Sequence, residues 1–92
     1  MNRIDQMHAL LAVFQPTQIE IIDDSHKHAG HEGARSGGGH YTLHIDSAQF
    51  AGKPTLARHR MIYSALGEMM KHEIHALNIK ACTPEELQSL FQ

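Results

Sequence analysis

Residues 40–46 read HYTLHID, and the strict alternation of this stretch decides the fold. Its aromatic and aliphatic residues fall on one face of an extended strand, and its polar residues fall on the other face. Residues 17–23, TQIEIID, form a second run rich in β-branched residues, and residues 74–81, IHALNIKA, form a third. The sequence therefore predicts three strands.

The remaining apolar residues follow helical periods. In residues 4–14 and 56–70 they recur at steps of three and four, which predicts one amphipathic helix before the strands and a longer one between the second and third strands. The dipeptide Gln-Pro at 15–16 ends the first helix, and Pro54 suits the first position of the long helix. Residues 83–86, TPEE, form a capping box that begins a last helix.

The order of these elements predicts the fold class. A short helical turn is expected at Phe50, and the long helix is expected to end near Lys71. The apolar residues that the last helix turns inward are Leu87, Leu90 and Phe91. The resulting order, α-β-β-(α)-α-β-α, predicts a single α+β domain over residues 1–92, an α/β sandwich in which helices cover a three-stranded mixed sheet.

The composition is that of a small globular domain. The chain has 92 residues, of which 41% are hydrophobic and 20% charged, unlike a disordered chain. Eight Lys and Arg against ten Asp and Glu give a net charge of −2, unlike a strongly basic nucleic-acid binder. We expect neither a membrane helix nor a secretory signal, because no long apolar run is present. The single cysteine excludes an internal disulfide and favours a reducing compartment, either the cytoplasm or the mitochondrial matrix.

Histidine is strongly enriched, with nine in the chain. Because histidine is a common metal ligand and titrates near neutral pH, this enrichment indicates metal binding or pH sensing. Residues 24–39 contain five glycines and no large apolar side chain, which predicts an exposed, mobile loop between the first two strands. Within it, His26, His28 and His31 are spaced closely enough to chelate one ion. A solvated loop without a ligand is the alternative interpretation.

His75 is the most informative position outside the loop. Strand alternation places it on the face of Leu77 and Ile79, so we expect it at the edge of the core. It is either a buried histidine that is hydrogen-bonded to a backbone carbonyl, or a metal ligand that the strand holds in place. A [2Fe–2S] cluster needs four ligands, commonly four Cys or two Cys and two His. With Cys82 as its one thiol, the isolated chain would hold no cluster, whereas two histidines and two thiolates from a partner would complete one.

Several segments, in this order and spacing, resemble the BolA family. They are SHKH at 25–28, GHY at 39–41, FAG at 50–52, RHRMIY at 58–63, IHAL at 74–77 and TPE at 83–85. The resemblance covers about residues 4 to 90, and RHR-x-x-Y followed by IHAL is its most specific part. It implies an α/β fold related to the class II KH domain, in line with the predicted order of elements.

The same resemblance implies a partner and a cofactor. BolA proteins associate with monothiol glutaredoxins in iron–sulfur trafficking, and a loop His or Cys and the His of the IHAL segment ligate a shared [2Fe–2S] cluster. The matching residues here are His28 and His75, with His26 and His31 as alternative loop ligands. The glutaredoxin cysteine and its bound glutathione would supply the other two ligands. The resemblance thus implies an adaptor in iron–sulfur and iron homeostasis.

Nucleic-acid binding is the rival interpretation, since KH folds bind single strands and BolA relatives are also discussed as transcription regulators of stress response or cell morphology. Lys53, Arg58 and Arg60 either form a small basic patch for phosphate, glutathione, an acidic partner surface or nucleic acid, or are simply solvated. The turn before the long helix, FAGKP, lacks the GxxG of KH modules. His59, between the two arginines, faces the buried side of the helix. No nucleophile has an oriented base and third group beside it, so we predict no enzyme.

Overall fold

The computed structural model describes residues 2–25 and 38–89. Its sheet has three strands in the order β1 (Gln18–Asp23), β2 (Gly39–Asp46) and β3 (Ile74–Cys82). β1 pairs with β2 antiparallel, and β2 pairs with β3 parallel. The predicted three-stranded mixed sheet is therefore confirmed, and β2 is its central strand.

Among the described residues, three helices flank this sheet: α1 (Arg3–Leu11), α2 (Thr55–Leu66) and α3 (Pro84–Ser89). Short 3₁₀ segments lie at Ala12–Phe14, Ala48–Phe50 and Gly67–Lys71. The connection from β2 to β3 runs through α2, as a parallel pair of strands requires. This order is the predicted one, and the α+β class is confirmed.

The core lies between the helices and one face of the sheet. Apolar residues of β2 alternate with half-buried polar residues, as the HYTLHID pattern predicts. The buried apolar residues, which form one cluster, are Met7, Leu11, Phe14, Tyr41, Leu43, Ile45, Phe50, Ile62, Leu66, Met69 and Ile74. The opposite face of β2 carries the side chains of His40, Thr42 and His44. The sheet thus has one apolar face and one face that can bear polar chemistry.

Helix boundaries and burial differ from the predicted ones at four points. Leu10 and Leu56, predicted on the apolar faces of the first helix and of the long helix, are 40% and 60% exposed. The long helix ends at Leu66 rather than near Lys71, because Gly67 has a φ of +55°, in the left-handed region that ends a helix. Pro54 caps α2 instead of occupying its first turn.

The capping box at α3 is formed as predicted. Thr83 Oγ1 accepts a hydrogen bond from the backbone N–H of Glu86, and Glu86 Oε1 accepts one from the backbone N–H of Thr83. Leu87 is half-buried, whereas Leu90 and Phe91 lie outside the described residues. Within residues 2–25 and 38–89, no helix is long and apolar enough to cross a membrane.

Candidate functional site

An irregularity at the start of β3 sets the position of His75. Gly39 of β2 is paired with Ile74, but the next residue, His40, is paired with Ala76, so β3 has one extra residue at this point. Such a β-bulge disrupts the alternation of side chains and re-aims a residue locally. Ile74 is buried, the next two residues are exposed, and Leu77 is half-buried again.

The predicted orientation of His75 is therefore wrong. Because of the bulge, His75 lies on the exposed side of β3 and does not share a face with Leu77 and Ile79. The interpretation as a buried histidine bonded to a backbone carbonyl loses its basis, since the residue is exposed. An imidazole on a strand that is open to solvent is accessible to a partner.

His75 lies beside a second histidine, which the sequence interpretation did not single out as a ligand. The rings of His40 and His75 have centroids 5.0 Å apart and are tilted by 42°. A metal–nitrogen bond of about 2.0–2.1 Å puts a ring centre roughly 3 Å from the ion, so two imidazoles on one tetrahedral ion have centres about 5 Å apart. The two rings are therefore close neighbours, so His40 lies beside His75 at the candidate site.

Both ends of the histidine-rich loop adjoin this pair. The backbone N–H of His40 donates a hydrogen bond of 3.0 Å to Ser25 Oγ, and the backbone N–H of Asp24 donates one of 2.7 Å to the carbonyl of His40. At the other end, Gly38 packs directly on His75, since a Cβ at position 38 would lie 2.7 Å from His75 Cβ.

The predicted loop ligands His26, His28 and His31 lie outside the described residues.

Arg58, predicted either to be solvated or to belong to a basic patch, is instead a structural residue. Its side chain is 11% exposed, and its guanidinium makes two parallel hydrogen bonds, of 2.7 and 2.8 Å, to the carboxylate of Glu86. It also donates to the backbone carbonyls of Lys53 and Ala81. These contacts join α2 to β3 and α3, and sequence reasoning missed them because the partners are up to 28 residues apart.

The ion pair shifts the titration of both partners. The hydrogen bonds from Arg58 lower the pKa of Glu86 from 4.5 to about 2, and the backbone N–H of Thr83 adds to this effect. The same hydrogen bonds raise the pKa of Arg58. Because Glu86 neutralises this guanidinium, only Lys53 and Arg60 of the predicted patch are exposed cations.

His59 is half-buried and meets the edge of the Tyr63 ring.

A second polar cluster lies at the far end of β2. His44 and Asp46 share one side of this strand, and Cys82 is the register partner of Asp46 on β3. Burial raises the pKa of the Cys82 thiol, and the carboxylates of Asp46 and Glu86 add to the increase. The sequence carries no direct signal of this cluster, because the register of β2 and β3 creates it.

Comparisons with known proteins point to one family. A family model described as "BolA-like protein" matches residues 6–86. The chain is 38% identical over 81 residues to the "DNA-binding transcriptional regulator BolA" of Escherichia coli, which covers 88% of this chain and 74% of that protein. It is 42% identical over 77 residues to the "SufE-like protein 1, chloroplastic/mitochondrial" of Arabidopsis thaliana. That match covers 78% of this chain but 21% of the other protein, so the chain spans about a fifth of its length.

Solved structures show the same similarity. BolA1 from Arabidopsis thaliana matches with a TM-score of 0.80 and 34% identity, over 94% of this chain and 96% of that chain. The BolA domain of SufE1 from the same plant matches with a TM-score of 0.81 and 37% identity, again over 94% and 96% of the two chains. The similarity to both structures therefore extends over almost the whole fold described above.

Proposed function

The chain belongs to the BolA-like protein family, and on this premise we propose that it is an adaptor that pairs with a monothiol glutaredoxin and shares a [2Fe–2S] cluster with it. His75 provides one ligand and a loop histidine provides the other. His28 is the loop residue that matches the family motif, and His26 and His31 are alternatives. The glutaredoxin cysteine and its glutathione complete the set. We place this role in a reducing compartment, the cytoplasm or the mitochondrial matrix.

The observation that carries the proposal is the exposure of His75 on the bulge, beside His40 and both ends of the loop. A ligand to a shared cluster must be accessible to the partner, and His75 meets this condition. A strand also holds its imidazole with little loss of entropy on binding. His40, whose ring centre lies 5.0 Å from that of His75, is a further candidate donor beside the site.

The donor set fits a shared cluster better than one that the chain holds alone. Iron–sulfur clusters are ligated by four Cys, or by two Cys and two His in mixed sites. The chain has one cysteine, and Cys82 lies at the opposite end of β3 from His75. The family match and this donor set both favour binding over catalysis. When bound, the cluster would supply one-electron chemistry at a potential above that of an all-Cys cluster.

Nucleic-acid binding is the second candidate, favoured by the name of the Escherichia coli relative. In this chain it would use the KH-like fold with the exposed Lys53 and Arg60. The net charge of −2 and the pairing of Arg58 with Glu86 leave little positive charge for phosphate contacts. We therefore rank transcriptional regulation below the cluster adaptor.

The test is a titration of the purified chain with a cluster-loaded monothiol glutaredoxin and glutathione. We expect a 1:1 heterodimer in size-exclusion chromatography and a change in the visible circular dichroism of the cluster. His75→Ala abolishes or strongly weakens this change. His8→Ala, which removes an exposed histidine of α1, is the matched control and leaves the change intact. A heterodimer with unaltered spectrum and lifetime in His75→Ala contradicts the proposal.

The loop ligand is tested separately. Because His26 and His31 are near His28 in the chain, we expect single alanine substitutions to be mild and the triple substitution to be severe. Loss of cluster binding in His28→Ala alone would refute this redundancy. For the second candidate, a DNA titration that shifts the NMR signals of Lys53 and Arg60, with no response to glutaredoxin, would favour transcriptional regulation.

A further inference from the structure

We propose that His44, Asp46 and Cys82 form a second, independent site for a divalent transition-metal ion of the zinc class. One ligand atom from each residue, a ring nitrogen, a carboxylate oxygen and the thiol sulfur, lies within 4.8 Å of the other two. The site joins the end of β2 to the end of β3. It lies apart from the glutaredoxin site and does not depend on it.

The buried carboxylate of Asp46 is the observation that points to a ligand. Its side chain is 1% exposed, and neither of its oxygens has a hydrogen-bond partner among the described residues. A buried charge is costly unless it is paired or binds a metal ion. Asp46 and His44 both line a cavity of about 410 Å³, whose other lining residues are Gln18, Ile19 and Glu20 of β1.

The distance between His44 and Asp46 already suits a metal ion. Nε2 of His44 and Oδ1 of Asp46 are 3.6 Å apart, which is longer than an N–H···O hydrogen bond. Two ligands at about 2.0–2.1 Å from a tetrahedral zinc ion are roughly 3.3–3.4 Å from each other. These two atoms therefore need to move by only a few tenths of an ångström to coordinate one ion.

The strands place the third ligand. Asp46 and Cys82 are register partners on the parallel pair β2 and β3, and His44 precedes Asp46 by two residues on the same side of β2. All three ligands thus lie on strands rather than on loops, which is the more rigid support for a binding site.

The donor set selects the metal. Calcium and magnesium prefer oxygen ligands alone, whereas sulfur, imidazole and one carboxylate suit zinc and the neighbouring transition metals. The thiol of Cys82 gives up its proton to solvent on coordination, so the thiolate and the Asp46 carboxylate together balance a 2+ charge. Three protein ligands leave a fourth position for water, as in zinc sites with an open coordination position.

The separation from the first site makes the two proposals distinguishable. His44 follows His40 by four residues on β2, which corresponds to about 13 Å along a strand. Substitution of His75 therefore leaves the metal site intact, and substitution of Cys82 leaves the glutaredoxin site intact.

The test is a titration of the reduced chain with Co²⁺, followed by displacement with Zn²⁺. A thiolate ligand gives cobalt a charge-transfer band in the near ultraviolet, and Cys82 is the only cysteine in the chain, so this band reports Cys82 alone. We expect the band to saturate at one equivalent, with the protein still monomeric, and to disappear when Zn²⁺ is added. Cys82→Ser removes the band.

His44→Ala and Asp46→Asn are expected to weaken Co²⁺ binding by about tenfold or more. His75→Ala and His8→Ala are the controls and leave the band unchanged. Because His44 is half-exposed, its substitution tests the site even if Asp46→Asn unfolds the chain. Three results overturn the proposal: no thiolate band, a band that is insensitive to His44→Ala, or a band that requires two chains per ion.

Discussion

The substitution Gly38→Ala tests whether the packing of Gly38 on His75 shapes the candidate site, and it removes no proposed ligand. A methyl group at this position would lie 2.7 Å from Cβ of His75, and 3.1 and 3.2 Å from its backbone N and Cα. Ordinary carbon–carbon contacts are about 3.5–4.0 Å, so Gly38→Ala must displace either the end of the loop or the start of β3. Among the described glycines, Gly52 and Gly67 have a positive φ, and Gly38 does not. The effect of Gly38→Ala therefore comes from the contact with His75 and not from backbone strain.

The expected cost is that of an overpacked site, about 1–3 kcal/mol in the free energy of unfolding. For a domain of this size, each kcal/mol lowers Tm by about 4–8 °C. We also expect the imidazole resonances of His75 and His40 to shift in a proton–carbon correlation spectrum, because their ring contact depends on the same backbone. Thermal unfolding and this spectrum together measure the two effects.

Gly52→Ala is the matched control. Gly52 has a φ of +74°, and nothing lies within 4 Å of the position that a methyl group would take, so its substitution strains the backbone without any collision. We expect it to cost about 1–2 kcal/mol, with no shift of the His75 or His40 resonances. The reasoning is refuted if Gly38→Ala leaves both stability and these resonances unchanged, or if Gly52→Ala shifts the resonances equally.

Three further predictions concern the fold. Phe50 is fully buried, with its ring 5.3 Å from that of Phe14, so Phe50→Ala should lower the free energy of unfolding in urea by about 3–5 kcal/mol; a loss below about 1 kcal/mol would contradict this packing. Thr83→Ala breaks the capping box and should lower the free energy of unfolding, measured by thermal unfolding, by about 0.5–2 kcal/mol. Thr55→Ala is its control, because Thr55 is not the N-cap of α2. The pKa of Glu86 falls from 4.5 to about 2 on folding, so its stabilising effect is complete above about pH 4.5 and is lost as the pH falls towards 2. Urea unfolding at several pH values should show a shallower loss in Glu86→Gln, and identical pH profiles would count against the ion pair.

Much of the fold follows from local patterns, because local chemistry determines it. The alternation in β2 indicates which side chains meet the helices, and the structure buries Tyr41, Leu43 and Ile45 as predicted. The capping box marks the start of α3 for a similar reason, since all its hydrogen bonds join residues three apart. The end of α2 was predicted too late, near Lys71, because a glycine within a helical pattern does not by itself show that its backbone adopts a positive φ.

The candidate sites were less predictable because they depend on how the strands are paired. The bulge at His75 had one local sign: Ile74 and Leu77 are both apolar yet are three residues apart, which a regular strand cannot place on one face. No comparable sign linked Arg58 to Glu86, or Asp46 to Cys82. Those contacts join distant parts of the chain, and only the register and the packing of α3 bring them together.

The most direct test of the cluster proposal detects the nitrogen atoms of this chain at the iron. A chain labelled with ¹⁵N is combined with unlabelled, cluster-loaded monothiol glutaredoxin and glutathione, and the cluster is reduced and studied by pulsed electron paramagnetic resonance. We predict strong ¹⁵N hyperfine coupling from imidazole ligands, which His75→Ala removes or reduces and His8→Ala leaves unchanged. A reduced cluster in the heterodimer without strong ¹⁵N coupling would show that no histidine of this chain ligates it.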